Sequence, residues 1–270
     1  MAGLEAHYSA RDIETRILAG LRTAGLDPEK GLTPEALSAL DHFHTGGLRA
    51  SRELVDLAKL RREDRVLDVG AGLAGPARLL ASSLGCQVDC LEMSSDYCTG
   101  AKLLNRLTGL EDRIRVHQGN ALAMPFPDRS FDVVWMQNVG MNIADKHALY
   151  KEIHRVLKPG GRYAFQEMAA GDTQTSYFPL PWATDPGDSF LVSSEAMQSV
   201  LGECGFIRVV FEDTSDEHLS RTTANATPAA PEQLGLSVFV DDLARKAGNA
   251  RRSLEAGQVR LVRGVFRRSE

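Results

Sequence analysis

The chain has 270 residues, 43% hydrophobic and 25% charged, with a formal net charge of -5. These values describe a globular protein with room for one large α/β domain plus additions. Arg49, Arg52, Arg61, Arg62 and Arg65 alternate with Glu53, Asp56, Glu63 and Asp64, which is a solvated helix face rather than a phosphate track, so nucleic acid is not expected as a partner.

No apolar run reaches the roughly 18 residues of a spanning helix, and no signal-peptide core opens the chain. A membrane partner is therefore not expected, and the cytoplasm is the expected location. Cys86, Cys90, Cys98 and Cys204 form no C-x-x-C pair. They read as small buried thiols, and no metal site is expected.

In chain order, Ile13, Ile17, Leu18 and Leu21 space an amphipathic helix over residues 11–24. Thr33-Pro34 reads as an N-cap with proline at the first helical position. The segment Asp41-His42-Phe43-His44-Thr45-Gly46-Gly47 is polar and glycine-broken, and a helix over residues 49–60 follows it. Residues 1–62 thus predict an N-terminal helical cap and no strand.

From Arg65 the pattern alternates. Apolar strands are predicted at 65–69, 86–91, 113–117, 131–136 and 161–167, and helices at 74–84, 94–107, 144–157 and 193–204. Such alternation predicts an α/β fold whose sheet is mostly parallel. Two late strands, 206–212 and 258–267, are expected as an antiparallel edge, with a helix near 231–247 between them. Residues 63–270 form the expected main domain, with lid insertions near 168–192 and 213–257.

The chemistry concentrates at strand ends. Val66-Leu67-Asp68-Val69-Gly70-Ala71-Gly72-Leu73-Ala74-Gly75 runs a strand into a glycine turn and a helix start, the nucleotide-binding corner of an open α/β sheet. Gly70, Gly72 and Gly75 spell the G-x-G-x-x-G of a dinucleotide site. Glu92 ends the second strand, where a carboxylate suits a ribose of either NAD or S-adenosylmethionine. Gln118-Gly119-Asn120-Ala121 follows the third strand, and Gln137-Asn138 closes the fourth. Leu157-Lys158-Pro159-Gly160-Gly161 stops a helix and re-enters the fifth strand.

These blocks, in this order and spacing over roughly residues 40–210, resemble the class I S-adenosylmethionine-dependent methyltransferases. Within that family the chain looks like the small-molecule branch of sarcosine/dimethylglycine methyltransferases. A nicotinamide-dependent oxidoreductase could share the glycine turn but has no reason to carry the last two blocks. The resemblance implies a Rossmann-like class I fold with a seven-stranded sheet, S-adenosylmethionine as cofactor and a small-molecule methyl acceptor. It says nothing of the oligomeric state.

By that resemblance, Asp68, Gly70, Ala71 and Gly72 meet the amino-acid end of the cofactor. Glu92 holds the ribose and Met93 packs on the adenine. Asn120 and the Ala121 N–H address the adenine edge, and Gln137 opens onto the methionine part. His44, before Gly46-Gly47, resembles a histidine that encloses the sulfonium and serves as the catalytic candidate. Tyr8, Gln166 and Trp182 are the expected acceptor wall. The expected reaction is in-line methyl transfer to an amine nitrogen, with a natural-product or sugar hydroxyl as the alternative acceptor.

Overall fold

The computed structural model of the chain describes residues 12–173, 176–224, 235 and 241–270. Its strands are β1 (Arg65–Val69), β2 (Gln87–Glu92), β3 (Ile114–Gln118), β4 (Phe131–Gln137), β5 (Leu157–Ala170), β6 (Phe206–Asp213) and β7 (Val259–Arg268). They form one sheet in the order β3-β2-β1-β4-β5-β7-β6. β7 runs antiparallel to both β5 and β6, and the pairs from β3 across to β5 are parallel. The central strands are buried on both faces, which explains why they read as largely apolar runs, interrupted by Asp68 in β1 and Asp132 in β4.

The helices are α1 (Ile13–Thr23), α2 (Pro34–Asp41), α3 (Gly47–Ala58), α4 (Gly75–Ser83), α5 (Ser95–Leu107), α6 (Lys146–Val156), α7 (Ser194–Glu203), α8 (Ser215–Ala224) and α9 (Leu243–Glu255). One face of the sheet packs Leu54 and Ala58 of α3 with Ala77 and Ala81 of α4 against Val66, Trp135 and Val265. The other packs Leu149, Ile153 and Val156 of α6 with Met197 and Leu201 of α7 against Phe131, Tyr163 and Phe266. Leu149, Ile153 and Val156, spaced i, i+4 and i+7, are therefore the core face of α6. Thr33, Ser94, Asp145 and Ser193 cap their helices by accepting the N–H of Ala36, Tyr97, Ala148 and Ala196.

Three local features depart from the expected pattern. The segment 1–62, expected as a cap, divides among its described residues. α1 and α2 cluster over α5 through Ile17, Leu21, Leu40 and Leu104, while α3 is a layer helix against the sheet. The Lys-Pro-Gly-Gly segment is already strand: Leu157 pairs with Phe131, and the register then jumps so that Val133 faces Arg162. The extra residues form a bulge, with Gly160 at φ 72°. Third, the late polar stretch contains α8, which its weak apolar periodicity had not signalled. The helix expected near 231–247 is described only from Leu243 onward.

β1 and β4 are neighbours, but β2 and β5 lie on opposite sides of them. This reversal leaves a crevice at the carboxyl ends of β1 and β4. Val69 is aligned with Met136, so the turn at Gly70 emerges beside Gln137. Among the described residues, no helix is long and apolar enough to cross a membrane.

Candidate active site

The turn after β1 is built of backbone that side chains would obstruct, for three different reasons. Gly70 and Gly72 adopt φ of 68° and 54°, in the left-handed region that glycine tolerates. A Cβ on Gly72 would meet nothing, so this position leaves room in the crevice. A Cβ on Gly70 would collide with Val139 beyond β4. Its conflict is therefore with the protein itself. A Cβ on Gly75 would overlap the Asp41 carbonyl and the His42 ring. The third glycine of the apparent dinucleotide pattern thus admits the N-terminal segment.

Two carboxylates frame this turn. Glu92 accepts the Gly72 N–H through Oε2 at 2.9 Å and the Ser94 N–H through Oε1 at 2.8 Å. Each oxygen retains a second lone pair for hydroxyl donors. Burial pushes its carboxyl upward, against the pull of these N–H groups. Asp68 is 2% exposed, and its Oδ2 has no hydrogen-bond partner. Burial first, and the Glu92 charge second, raise the Asp68 carboxyl to about 8. An orphaned acid oxygen on a cavity wall is matched by a cationic donor such as an ammonium, which supplies both hydrogen bond and charge.

Asp68, Gly70, Ala71, Gly72, Glu92, Met93, Asn120, Ala121 and Gln137 all line one cavity of about 1220 Å³. The structure brings every expected cofactor residue to it. Asn120 Oδ1 accepts the Leu122 N–H at 2.9 Å and so shapes the loop that carries Ala121.

The roof of the crevice is held by a buried ion pair. Arg78 of α4 is 0% exposed and donates to Asp41 Oδ2 at 2.7 Å and to Asn105 Oδ1 at 2.7 Å. A further bond reaches the Leu73 carbonyl at 2.5 Å. Asp41 Oδ1 in turn accepts from His42 Nδ1 at 2.6 Å.

Beyond this pair, His44 lines the cavity within a closed ring of hydrogen bonds. Ser51 Oγ donates to Gln137 Oε1 at 2.9 Å, and the Trp135 indole N–H donates to the same oxygen at 2.9 Å. With the Ser51 proton so directed, His44 Nε2–H donates to Ser51 Oγ at 3.0 Å, and Gln137 Nε2 donates to His44 Nδ1 at 3.3 Å. Both ring nitrogens are engaged. Burial, and next the neighbouring His42, lower the imidazole to about 3. His44 is a neutral hydrogen-bond hub here.

Of the expected acceptor wall, Trp182 lines the cavity while anchoring an apolar cluster, and its indole N–H donates to Ser189 Oγ at 3.0 Å. Gln166 is not among the cavity-lining residues. It is 3% exposed and donates to the Thr45 carbonyl at 2.6 Å, stitching β5 to the roof. Tyr8 lies outside the described residues.

Sequence reading had passed over three contributors. Asn138 holds a left-handed φ of 55° on the cavity wall. Its Nδ2 donates to Thr45 Oγ1 at 3.1 Å, and the Thr45 hydroxyl points at Met168 Sδ, 3.9 Å away. Asn138 Oδ1 is therefore the free end of the amide, buried and without a partner. Glu167 accepts the Val139 and Gly140 N–H groups at 3.0 Å, and burial raises its carboxyl to about 7. Lys146 Nζ donates to the Gly140 and Phe190 carbonyls at 2.7 Å, and also to Ile143. Burial lowers its ammonium to about 8. An acid directly following the strand run Tyr163-Ala164-Phe165-Gln166 was the available signal for Glu167.

Residues 67–165 match a family model described as a methyltransferase domain. The glycine/sarcosine/dimethylglycine N-methyltransferase of Actinopolyspora halophila is 36% identical over 129 residues, 48% of this chain and 23% of that protein. The sterol 24-C-methyltransferase of Eremothecium gossypii is 32% identical over 182 residues, 65% of this chain and 49% of that protein. The chain thus spans about half or less of the length of these curated relatives. A solved structure from Galdieria sulphuraria, provisionally assigned as a sarcosine dimethylglycine methyltransferase, superposes with a TM-score of 0.65 at 24% identity. It covers 94% of this chain and 98% of that one, so the fold is the Rossmann-like class I methyltransferase fold.

Two outcomes follow from the buried charges. Asp41→Ala leaves the Arg78 guanidinium buried without its counter-charge. Denaturant unfolding of this variant should show a loss of about 3–5 kcal/mol, whereas a loss below about 1 kcal/mol would mean that the pair is dispensable. Asp68 has a folded pKa near 8, above the roughly 3.9 of an unfolded aspartate. Its stabilising contribution is therefore complete below about pH 4 and disappears as pH rises through 8. Between these limits the ligand-free wild type should lose unfolding midpoint relative to Asp68→Asn, and parallel curves would refute the raised pKa.

Proposed function

We propose, from the premise that this chain carries a methyltransferase domain over residues 67–165, that it moves a methyl group from S-adenosylmethionine to an amine nitrogen of a small molecule. The cofactor residues fit that group. Asp68 Oδ2 lacks the cationic donor that an amino-acid ammonium brings, Gly72 leaves room, and Glu92 keeps lone pairs for ribose hydroxyls. When bound, the cofactor would supply a methyl group activated on a sulfonium, with Asp68, Gly72 and Glu92 holding it and the sulfur acting as the leaving group.

The observation that carries the amine reading is Asn138. Its Oδ1 is an acceptor with no donor, set beside Gln137 at the carboxyl end of β4. An amine N–H bonded there keeps its nitrogen lone pair for attack. A hydroxyl acceptor would need a positioned general base. His44 supplies none in this arrangement, since both nitrogens are engaged and its pKa lies near 3. The protein's contribution is then alignment and exclusion of water, with the proton leaving from the product ammonium. The N-methyltransferase name of one relative supports this reading, and the sterol relative's name points to a carbon acceptor instead.

S-adenosylhomocysteine should raise the thermal midpoint while NADH leaves it unchanged, and the reverse would favour an oxidoreductase. Glu92→Ala removes an acceptor for two hydroxyls, each bond to a charged group contributing roughly 1.5–3 kcal/mol. Calorimetry should show S-adenosylhomocysteine binding at least ~10-fold weaker with the fold intact. Unchanged affinity would remove Glu92 from the cofactor site.

His44→Ala separates positioning from base catalysis. Loss of a general base lowers kcat by about 10²–10⁴-fold and removes its limb from the pH profile. For an amine acceptor, the variant should lose less, and the rise in rate with pH, set by the amine's own deprotonation, should persist. Disappearance of that limb would restore His44 as the base and a hydroxyl as the acceptor.

A further inference from the structure

Past the end of β4 the same cavity continues as a chamber whose wall comes from distant parts of the chain. Met141 follows β4, Met168 lies on β5, Trp182 belongs to the loop after β5, Leu219 to α8, and Leu243 and Leu254 to α9. Met141, Met168, Trp182 and Leu254 form one apolar cluster, with Leu219 packed against it. The whole cavity, about 1220 Å³, exceeds the roughly 300–1,000 Å³ typical of one drug-sized ligand. It therefore has space for an acceptor of some size beside the cofactor.

The polar groups of this chamber matter as much as its apolar ones. Among the described lining residues, Arg251 is the only Arg or Lys. It is exposed at the rim, with its Nε on Glu255 Oε1 at 2.8 Å. An amino-acid acceptor would bring a carboxylate into the site, and a desolvated carboxylate needs a cationic partner there. The wall presents thioether, indole and leucine side chains together with Asn142, Asp145, Thr184, Asp188 and Thr222, none of which is a cation. His218 of α8, the one imidazole besides His44 on this wall, has its pKa lowered by burial and by Arg221 and Arg251, so it is neutral at neutral pH.

We infer that the acceptor carries its amine on an extended apolar body, which fills the chamber between the loop after β5 and the α8–α9 wall. This rests on the amine reading above for the nitrogen alone. The walls themselves select the apolar body whatever the nucleophile. The amine end reaches Asn138 and the tail lies against Met168, Leu219 and Leu254.

The test uses the full chain loaded with S-adenosylhomocysteine and titrated calorimetrically with straight-chain primary amines from propyl to decyl. Matched alcohols, glycine and sarcosine are titrated alongside. Turnover of each with S-adenosylmethionine is followed in parallel. Affinity should rise with chain length by up to about four-fold per methylene, the factor for ~0.8 kcal/mol per buried CH₂. Glycine and sarcosine should bind at least a hundred-fold more weakly than the best alkylamine. Leu219→Asn, a half-buried position, should flatten the length dependence and leave S-adenosylhomocysteine affinity unchanged.

Affinity independent of length, or glycine and sarcosine ahead of every alkylamine, overturns the proposal. Length-dependent binding with methylation of alcohols and not amines upholds the chamber and overturns the amine reading. Methylation of amines without length dependence does the opposite.

Discussion

A guanidinium with no exposed surface organises this molecule. Arg78 sits on the helix that follows the glycine turn, and it reaches the Leu73 carbonyl in that turn, Asn105 on α5 and Asp41 at the end of α2. A charge so buried is tolerable only when its donors are met, and a partner that failed to arrive would leave it uncompensated. The N-terminal segment is consequently required to lie across the crevice. Gly75 makes the approach sterically possible, and the chain leaving Asp41 then delivers Phe43, His44 and Thr45 to the cavity. The same residues that close the core of α4 thereby roof the site.

From that roof the site is wired downward by neutral hydrogen bonds. Thr45 is gripped twice, by Gln166 on its carbonyl and by Asn138 on its hydroxyl. His44, Ser51 and Gln137 close a ring that also takes in the Trp135 indole. Satisfied networks of this kind specify a single arrangement of side chains. Within it, Asp68 Oδ2 and Asn138 Oδ1 are left buried without hydrogen-bond partners, on two residues that line the cavity. The floor beyond β4 is held differently, by Glu167 on two backbone N–H groups and Lys146 on three carbonyls. Lys146 ties the β4 exit to the Phe190 carbonyl.

Much of this was legible in the residues. The runs of β1, β2 and β4 lie within a residue of their expected bounds, because strands buried on both faces leave a mostly apolar record. The glycine turn and the acid ending β2 were legible because their chemistry is local: a left-handed φ and a strand-end carboxylate that accepts the Ser94 N–H two residues on. The bulge at Lys158-Pro159-Gly160 was read as a turn, since proline and glycine punctuate both alike, and only pairing with Phe131 shows that the strand has begun. Gln166 and His44 illustrate the opposite case. Each is polar and near a strand end or glycine, as site residues are, yet one is turned toward the Thr45 carbonyl and the other has both nitrogens engaged.

By itself, then, the sequence determined the elements whose signals are carried by neighbours along the chain: the strand runs, the turn, the helix faces and the positions of the two carboxylates beside that turn. Tertiary structure decided everything that depends on residues meeting across the chain. It decided why Gly70 and Gly75 are glycines, which histidine nitrogens are engaged, that Asn138 is left with an unpaired oxygen, and that Met168, Leu219 and Leu254 share one wall. The reason is physical. A propensity or a backbone angle is a property of a short segment, whereas burial, hydrogen-bond satisfaction and pKa depend on neighbours that only the fold supplies.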